Sequence, residues 1–155
     1  MKKKAIITTG LLLALALTGA GCGRKQPITS IRSFTFSFDS STMANAYTRY
    51  EVSYDRKTGV HTATVKPDGV PEADASVYVV DDAFLMELAA FLHENNVEKW
   101  DGFQKSDRNV MDGNGFQLSV WTHEDVSVSA SGYMKWPKNY SEVKGGIIRI
   151  FGKLQ

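Results

Sequence analysis

The sequence predicts an α+β domain: an antiparallel sheet of about six strands with two helices packed on one face. Three observations carry this expectation. Short segments alternate apolar and polar residues with the period of a strand, and two longer ones repeat apolar residues at helical spacing. The two kinds follow one another as hairpins, helix, hairpin, helix, without the regular strand–helix–strand alternation of a parallel sheet.

The first strand is read from Phe34, Phe36 and Phe38, which alternate with Ser33, Thr35 and Ser37. A period of two puts the rings on a buried sheet face and the hydroxyls in water. After a longer loop, Asp39 to Ala46, Tyr50, Val52 and Tyr54 alternate with Arg49, Glu51 and Ser53. The polar turn Asp55 to Gly59 leads to Ala63 and Val65, which alternate with Thr62, Thr64 and Lys66. Pro67-Asp68-Gly69 breaks that strand, and a short fourth one spans Ser76 to Val80.

A helix follows, because Asp81 or Asp82 can accept a hydrogen bond from its first free N–H groups. Phe84, Leu85, Leu88, Phe91 and Leu92 form a core-facing stripe, and Asn95-Asn96 is its stop. Phe116, Leu118 and Val120 then alternate with Gln117, Ser119 and Trp121. Across His123-Glu124-Asp125, Val126, Val128 and Ala130 alternate with Ser127, Ser129 and Ser131, which completes another hairpin. After Pro137, Asn139 with Glu142 three residues on makes a capping-box pattern in its Asn form. Tyr140, Val143, Ile147, Phe151 and Leu154 mark one face of that last helix. Gly145-Gly146 inside it costs about 1 kcal/mol per residue relative to Ala, so the pair implies close packing or a kink. The outer sheet face is left open and hydrophilic, carrying Ser, Thr, Arg, Glu and Trp121.

The first residues read as an address. Lys2, Lys3 and Lys4 precede an apolar run from Ala5 to Ala20, followed by Gly21 and Cys22. A positive start, a short apolar stretch and small residues at its end are the parts of a secretory signal. The run is shorter and less apolar than a membrane span, which needs about 20 predominantly apolar residues. Thr18-Gly19-Ala20-Gly21-Cys22 resembles the lipobox of bacterial lipoproteins, with Gly19 where that family most often has Leu. The resemblance implies cleavage before Cys22 and a diacylglyceryl group on its sulfur; an ordinary cleaved signal is the alternative. Cys22 is the only cysteine, so no internal disulfide can form. The expected organisation is a signal peptide over 1–21, a lipidated cysteine and tether over 22–30, and one globular domain over 31–155. Each buried CH₂ of such a lipid contributes roughly 0.8 kcal/mol. Arg24 and Lys25, beside the anchor, either meet anionic lipid or lie in a solvated tether.

Eighteen basic residues against 17 acidic ones become 15 against 17 once the leader is removed, a net charge of about −2. That balance argues against a dedicated nucleic-acid binder, which carries a basic patch. From Lys99 the chain runs Trp100-Asp101-Gly102-Phe103, Ser106-Asp107, Asp112-Gly113 and Phe116, then Gly132-Tyr133-Met134 and Pro137-Lys138-Asn139-Tyr140. Roughly residues 97 to 145 are similar to a group of uncharacterised lipoproteins from Gram-positive bacteria. That resemblance implies an envelope location and no particular activity.

For chemistry, His61, His93 and His123 form no His-x-x-x-His pair, and no HExxH occurs, so the sequence offers no zinc site. Asp101, Asp107, Asn109, Asp112 and Asn114 crowd one connection as calcium ligands do. Met111 occupies a position where an EF-hand places an oxygen, and Asp and Asn also build turns. No G-x-S-x-G elbow, Walker loop or dinucleotide fingerprint is present. The reading therefore includes no catalytic residue, metal or cofactor. The candidate ligand-binding residues are aromatic: Trp100, Phe103, Tyr133, Trp136 and Tyr140 among polar loops, with Trp121 on the open face. Such rings either stack on a glycan or peptide, or plug the end of the core. The expected function is a lipid-anchored binding or interaction module on the outer face of the cell membrane. Its partner would be the membrane together with an envelope protein, peptide or glycan. A cell-wall hydrolase and a surface inhibitor of a partner enzyme are the alternatives.

Overall fold

The computed structural model describes residues 25–39, 46–107, 109–110 and 112–155. The expected signal peptide over 1–21 and the expected lipidation site Cys22 lie outside the described residues. The alternating segments become strands β1 (Ser33–Asp39), β2 (Tyr47–Asp55), β3 (Val60–Lys66), β4 (Ser76–Val80), β5 (Gln104–Ser106), β6 (Gly115–Trp121) and β7 (Ser127–Tyr133). Helices α1 (Asp82–Glu94) and α2 (Tyr140–Gly152) complete the α+β domain, with 3-10 turns at Glu72–Asp74 and Val97–Trp100.

One sheet runs in the order β4-β3-β2-β1-β6-β7-β5. It has seven strands where about six were expected, and it is mixed, because β5 pairs parallel to β7. The extra strand carries no alternation to read, since Gln104, Lys105 and Ser106 are all exposed. Its place follows from Trp100, which is buried in the core and turns the chain back along β7. Gly102 N–H donates to Ser129 O at 2.9 Å, and Ser131 N–H donates to Phe103 O at 2.8 Å.

The inner face holds the expected set: Phe34, Phe36, Val52, Ala63, Val65, Leu118, Val120, Val128 and Ala130 are all buried. Phe151 of α2 joins the layers, with its ring 5.9 Å from Phe34, 5.1 Å from Tyr50 and 5.3 Å from Phe84 of α1. Fully burying a Phe or Leu side chain stabilises by about 1.5–3 kcal/mol, so this face dominates the energetics. Asp81 caps α1, its Oδ1 accepting from Phe84 N–H at 2.9 Å. Asn95 ends that helix, and Asn96 follows in the left-handed region at φ 55°.

The capping box expected for α2 does not form. Asn139 sits at φ 58° with no side-chain cap, and its Nδ2 instead donates to Asn95 O at 2.8 Å. Tying the two helix ends together takes the side chain away from its own N–H groups. The Gly145-Gly146 pair resolves as close packing, because a Cβ on Gly146 would lie 1.9 Å from Phe91 Cζ, while Gly145 faces open space.

The folded body begins earlier than residue 31. Ile28 and Ile31 are buried at 2% and 1% exposure. Ile28 N–H donates to Glu98 Oε1 at 2.9 Å, and the same buried oxygen meets His93 Nδ1 at 2.5 Å. Lys25 Nζ reaches Asp101 Oδ2 at 2.6 Å and holds that carboxyl below its ordinary range, assisted by Ser129 N–H. Two isoleucines three apart are too short a signal to separate a docked strap from a tether.

Candidate functional site

Strand register builds a groove on the outer face, at the end of the sheet opposite Trp121. Asp39 of β1 pairs with Tyr47 of β2, and Gly115 of β6 pairs with Tyr133 of β7. Phe38 pairs with Phe116, so these four residues share one row across the sheet, and the Gly115 N–H donates to Asp39 Oδ1. In the next outward row Ser37 pairs with Gln117, Gln117 with Ser131, and Ser131 with Gln104. Together with Lys105 and Ser106 of β5 they line a depression of about 640 Å³. Strands lie about 4.8 Å apart, so three steps separate the two tyrosine-bearing strands by about 14 Å. Gly115, with no side chain, leaves the floor low between them.

Tyr47 is held rigidly. Its hydroxyl donates to Glu72 Oε2 at 3.1 Å, and Lys66 Nζ lies 3.8 Å from its ring centroid while donating to Tyr47 O at 3.1 Å. Lys66 is 1% exposed, a buried cation whose charge is met by that carbonyl, the ring face and nearby Glu72. Arg49 bonds Glu72 and keeps its carboxyl below the ordinary range, while the Glu72 bond raises the Tyr47 hydroxyl. A chain of mutually bonded side chains thus forms one wall of the groove. Among the described residues the lining otherwise combines serine hydroxyls and glutamine amides with Phe38 and Phe116, and Asp39 is its one carboxylate and Lys105 its one lysine. No histidine among the described residues lines it.

The predicted aromatic residues divide. Trp100 and Tyr140 are 3% and 7% exposed, beyond the reach of a ligand, and pack on Phe116 at 6.0 and 4.9 Å. Burial in a low-dielectric core, with Asp39 nearby, pushes the Tyr140 hydroxyl up to about 12. Phe103 is half-buried against Phe116, and Trp136, 38% exposed, meets Tyr140 edge-on at 5.9 Å. Trp100 and Tyr140 therefore plug one end of the core, Phe103 packs against it, and Trp136 stays exposed at its rim. Trp121 is exposed on the outer face, with the Arg32 guanidinium 5.9 Å away. It sits at the far end of β6, about 20 Å from Gly115. Tyr133 alone of the six lines the groove. Sequence reasoning missed Tyr47, Asp39, Gln104 and Gln117; the outward phase of Gln117 was legible, but Asp39 was read as loop, Gln104 lies in a strand without alternation, and the alignment across strands had no local signal.

His61 and His123 do come together, with ring centroids 5.8 Å apart and Tyr54 packed on both. His61 Nε2 is buried without a hydrogen-bond partner, and desolvation, then the charge of His123, lower its pKa against an opposing pull from Asp82. His93 is elsewhere, on Glu98. In the Asp/Asn-rich connection, Asp107 accepts from Asn109 N–H at 3.1 Å and pairs with Lys135 at 3.3 Å, the behaviour of a turn. Among the described residues no three His, Cys, Asp or Glu side chains group as a metal would require. None of the described helices is long and apolar enough to cross a membrane. No protein-family model matches the chain, and no curated protein matches it.

Proposed function

We propose that this chain is a lipid-anchored envelope protein that works as a non-catalytic binding module, taking a hydroxyl-rich ligand such as a glycan chain in the groove on its open sheet face. The observation that carries the reading is the groove's lining: serine hydroxyls and glutamine amides between two tyrosine-bearing strands, with a floor lowered at Gly115. Ligand sites combine apolar walls with a few placed polar groups that fix orientation. Tyrosine faces suit the apolar side of a sugar ring, and neutral hydrogen-bonding groups match its hydroxyls without the cost of burying charge. Cys22, next to a secretory-type leader, supports the anchor. The docked strap from Lys25 would then hold the domain close to the bilayer, since three residues span at most about 11 Å.

The test is co-sedimentation of the full chain with purified cell-wall glycan, beside Gln117→Trp. Gln117 is exposed and points into the groove, so the indole fills it without touching the core. Wild-type binding that falls about tenfold in the variant, at unchanged melting temperature, supports the reading; a tenfold loss is about 1.4 kcal/mol. Equal sedimentation of both proteins, or none of either, sinks it. For the anchor, Cys22→Ala should move the protein from membrane to soluble fractions, and retention would refute the lipid.

A further inference from the structure

We infer a second docking site, independent of the groove: the free edge of β4, which takes an extended peptide segment with basic residues at both ends by adding it to the sheet as an eighth strand. Among the described residues β4 is hydrogen-bonded to β3 alone and closes one side of the sheet. An open edge presents a row of unpaired backbone groups, and proteins blunt such edges with short strands, lysine, proline or bulges. This molecule does so on its other side, where β5 has only three residues and carries Lys105. On β4 those devices are missing. Its five residues, Ser76-Val77-Tyr78-Val79-Val80, hold no charge and no proline.

The side chains reinforce the contrast. Register places Val77 beside Thr64 and Val79 beside Thr62 on the outer face. They are 62% and 76% exposed, on a face whose other strands present mainly Ser, Thr and Gln. An incoming strand with apolar residues on that face would pair across them, the unit from which sheets gain stability. Main-chain bonds supply the affinity in such strand addition, and alternate side chains supply the specificity.

Charge selects the occupant. From Pro67 to Leu92 the chain carries Asp68, Glu72, Asp74, Asp81, Asp82 and Glu87 and not one Lys, Arg or His. Arg49 engages Glu72 and Lys153 engages Glu87, while Asp81 caps α1; Asp74 and Asp82, the second also acting on His61, bracket the strand. A second copy is therefore a poor fit. Two-fold antiparallel pairing centred on Tyr78 would set Val77 against Val79, but it would also bring the acidic flanks of the two copies, Asp74 in the 3-10 turn and Asp82 at the start of α1, to the same ends of the pair, where like charges repel. A strand with a basic residue at each end, just beyond the five paired positions, turns the same flanks into attraction.

The probe is a labelled nine-residue peptide of alternating valine and threonine with lysine at both ends, titrated against the full chain in detergent by fluorescence anisotropy. We expect saturable binding that weakens about tenfold when glutamate replaces the terminal lysines, and disappears when alternate peptide nitrogens are methylated. Val79→Lys should weaken it about tenfold at unchanged melting temperature, because that side chain is mostly exposed. Gln117→Trp should leave it unaltered. The inference is overturned by no binding, by equal affinity for the glutamate-ended or methylated peptide, or by unweakened binding to Val79→Lys. Loss of binding in Gln117→Trp would move the peptide to the groove. Sedimentation of the wild type as a dimer that Val79→Lys dissociates would give the edge to a second copy.

Discussion

Replacing each of two adjacent glycines by alanine should shift stability in opposite directions. Both lie inside α2, where Ala is favoured over Gly by about 1 kcal/mol from backbone entropy. At Gly145 a Cβ would meet nothing within 4 Å, so Gly145→Ala should gain most of that amount. At Gly146 the new methyl would sit 1.9 Å from Phe91 Cζ and 2.4 Å from Cε2, which requires the ring to leave its place against α2. Overpacking of this kind costs about 1–3 kcal/mol, so the net change after the helix gain is a loss of about 0–2 kcal/mol. The two single variants should then differ by roughly 2 kcal/mol, or about 6–8 °C in melting temperature for a domain of this size. Thermal melts followed by circular dichroism read the difference directly. A double-mutant cycle makes the test specific: with Phe91→Ala as background, Gly146→Ala should become neutral or stabilising. If both alanines raise the melting temperature equally in the Phe91 background, the helices do not meet through that glycine and the packing argument fails.

Three further outcomes follow from the same residues. Because His61 has a lowered folded-state pKa, its contribution is intact above about pH 6.5 and is lost as pH falls through the folded value; denaturant midpoints of wild type should drop below pH 6.5 and those of His61→Gln should drop less. Ile28→Ala should cost about 2–5 kcal/mol, and a chain beginning at Ser30 should melt well below one beginning at Lys25; equal midpoints would show that the strap is not part of the fold. Asp81→Ala should cost about 0.5–2 kcal/mol by equilibrium unfolding, and Asp82→Ala less, since only the Asp81 carboxylate accepts from Phe84 N–H.

What the sequence made legible is whatever a one-dimensional period encodes. Phe34, Phe36, Val52, Ala63, Leu118 and Val120 are inward because a strand alternates, and each is buried as its phase requires. The α1 cap was legible for the same local reason: an Asp next to an apolar stripe has few other uses. Asn139 shows the limit of such signals. Its spacing to Glu142 satisfies the capping-box pattern, yet a carbonyl 44 residues away takes its amide, and nothing local could reveal that competitor. β5 was illegible because three exposed residues have no phase to read.

The groove belongs to the second kind of information. Alternation alone sends Ser37, Gln117 and Ser131 outward, but a site exists only because β1, β6 and β7 are registered so that these side chains share a row. A slip of one residue in any of these pairings would break that row and turn the slipped strand's inner apolar set to solvent, so the hydrophobic face specifies the register of the polar face behind it. The same coupling explains why the aromatic loop residues were poor guides. Trp100 and Tyr140 are large enough to close the end of a core that Phe116 begins, and that need is met before any ring is left over for a ligand. Tyr47 and Tyr133 remain outward because their strands place them in phase with Asp39 and Gly115. The proposed binding surface is therefore what the packing of the opposite face leaves exposed, and its position is fixed by core residues on the other side of the sheet.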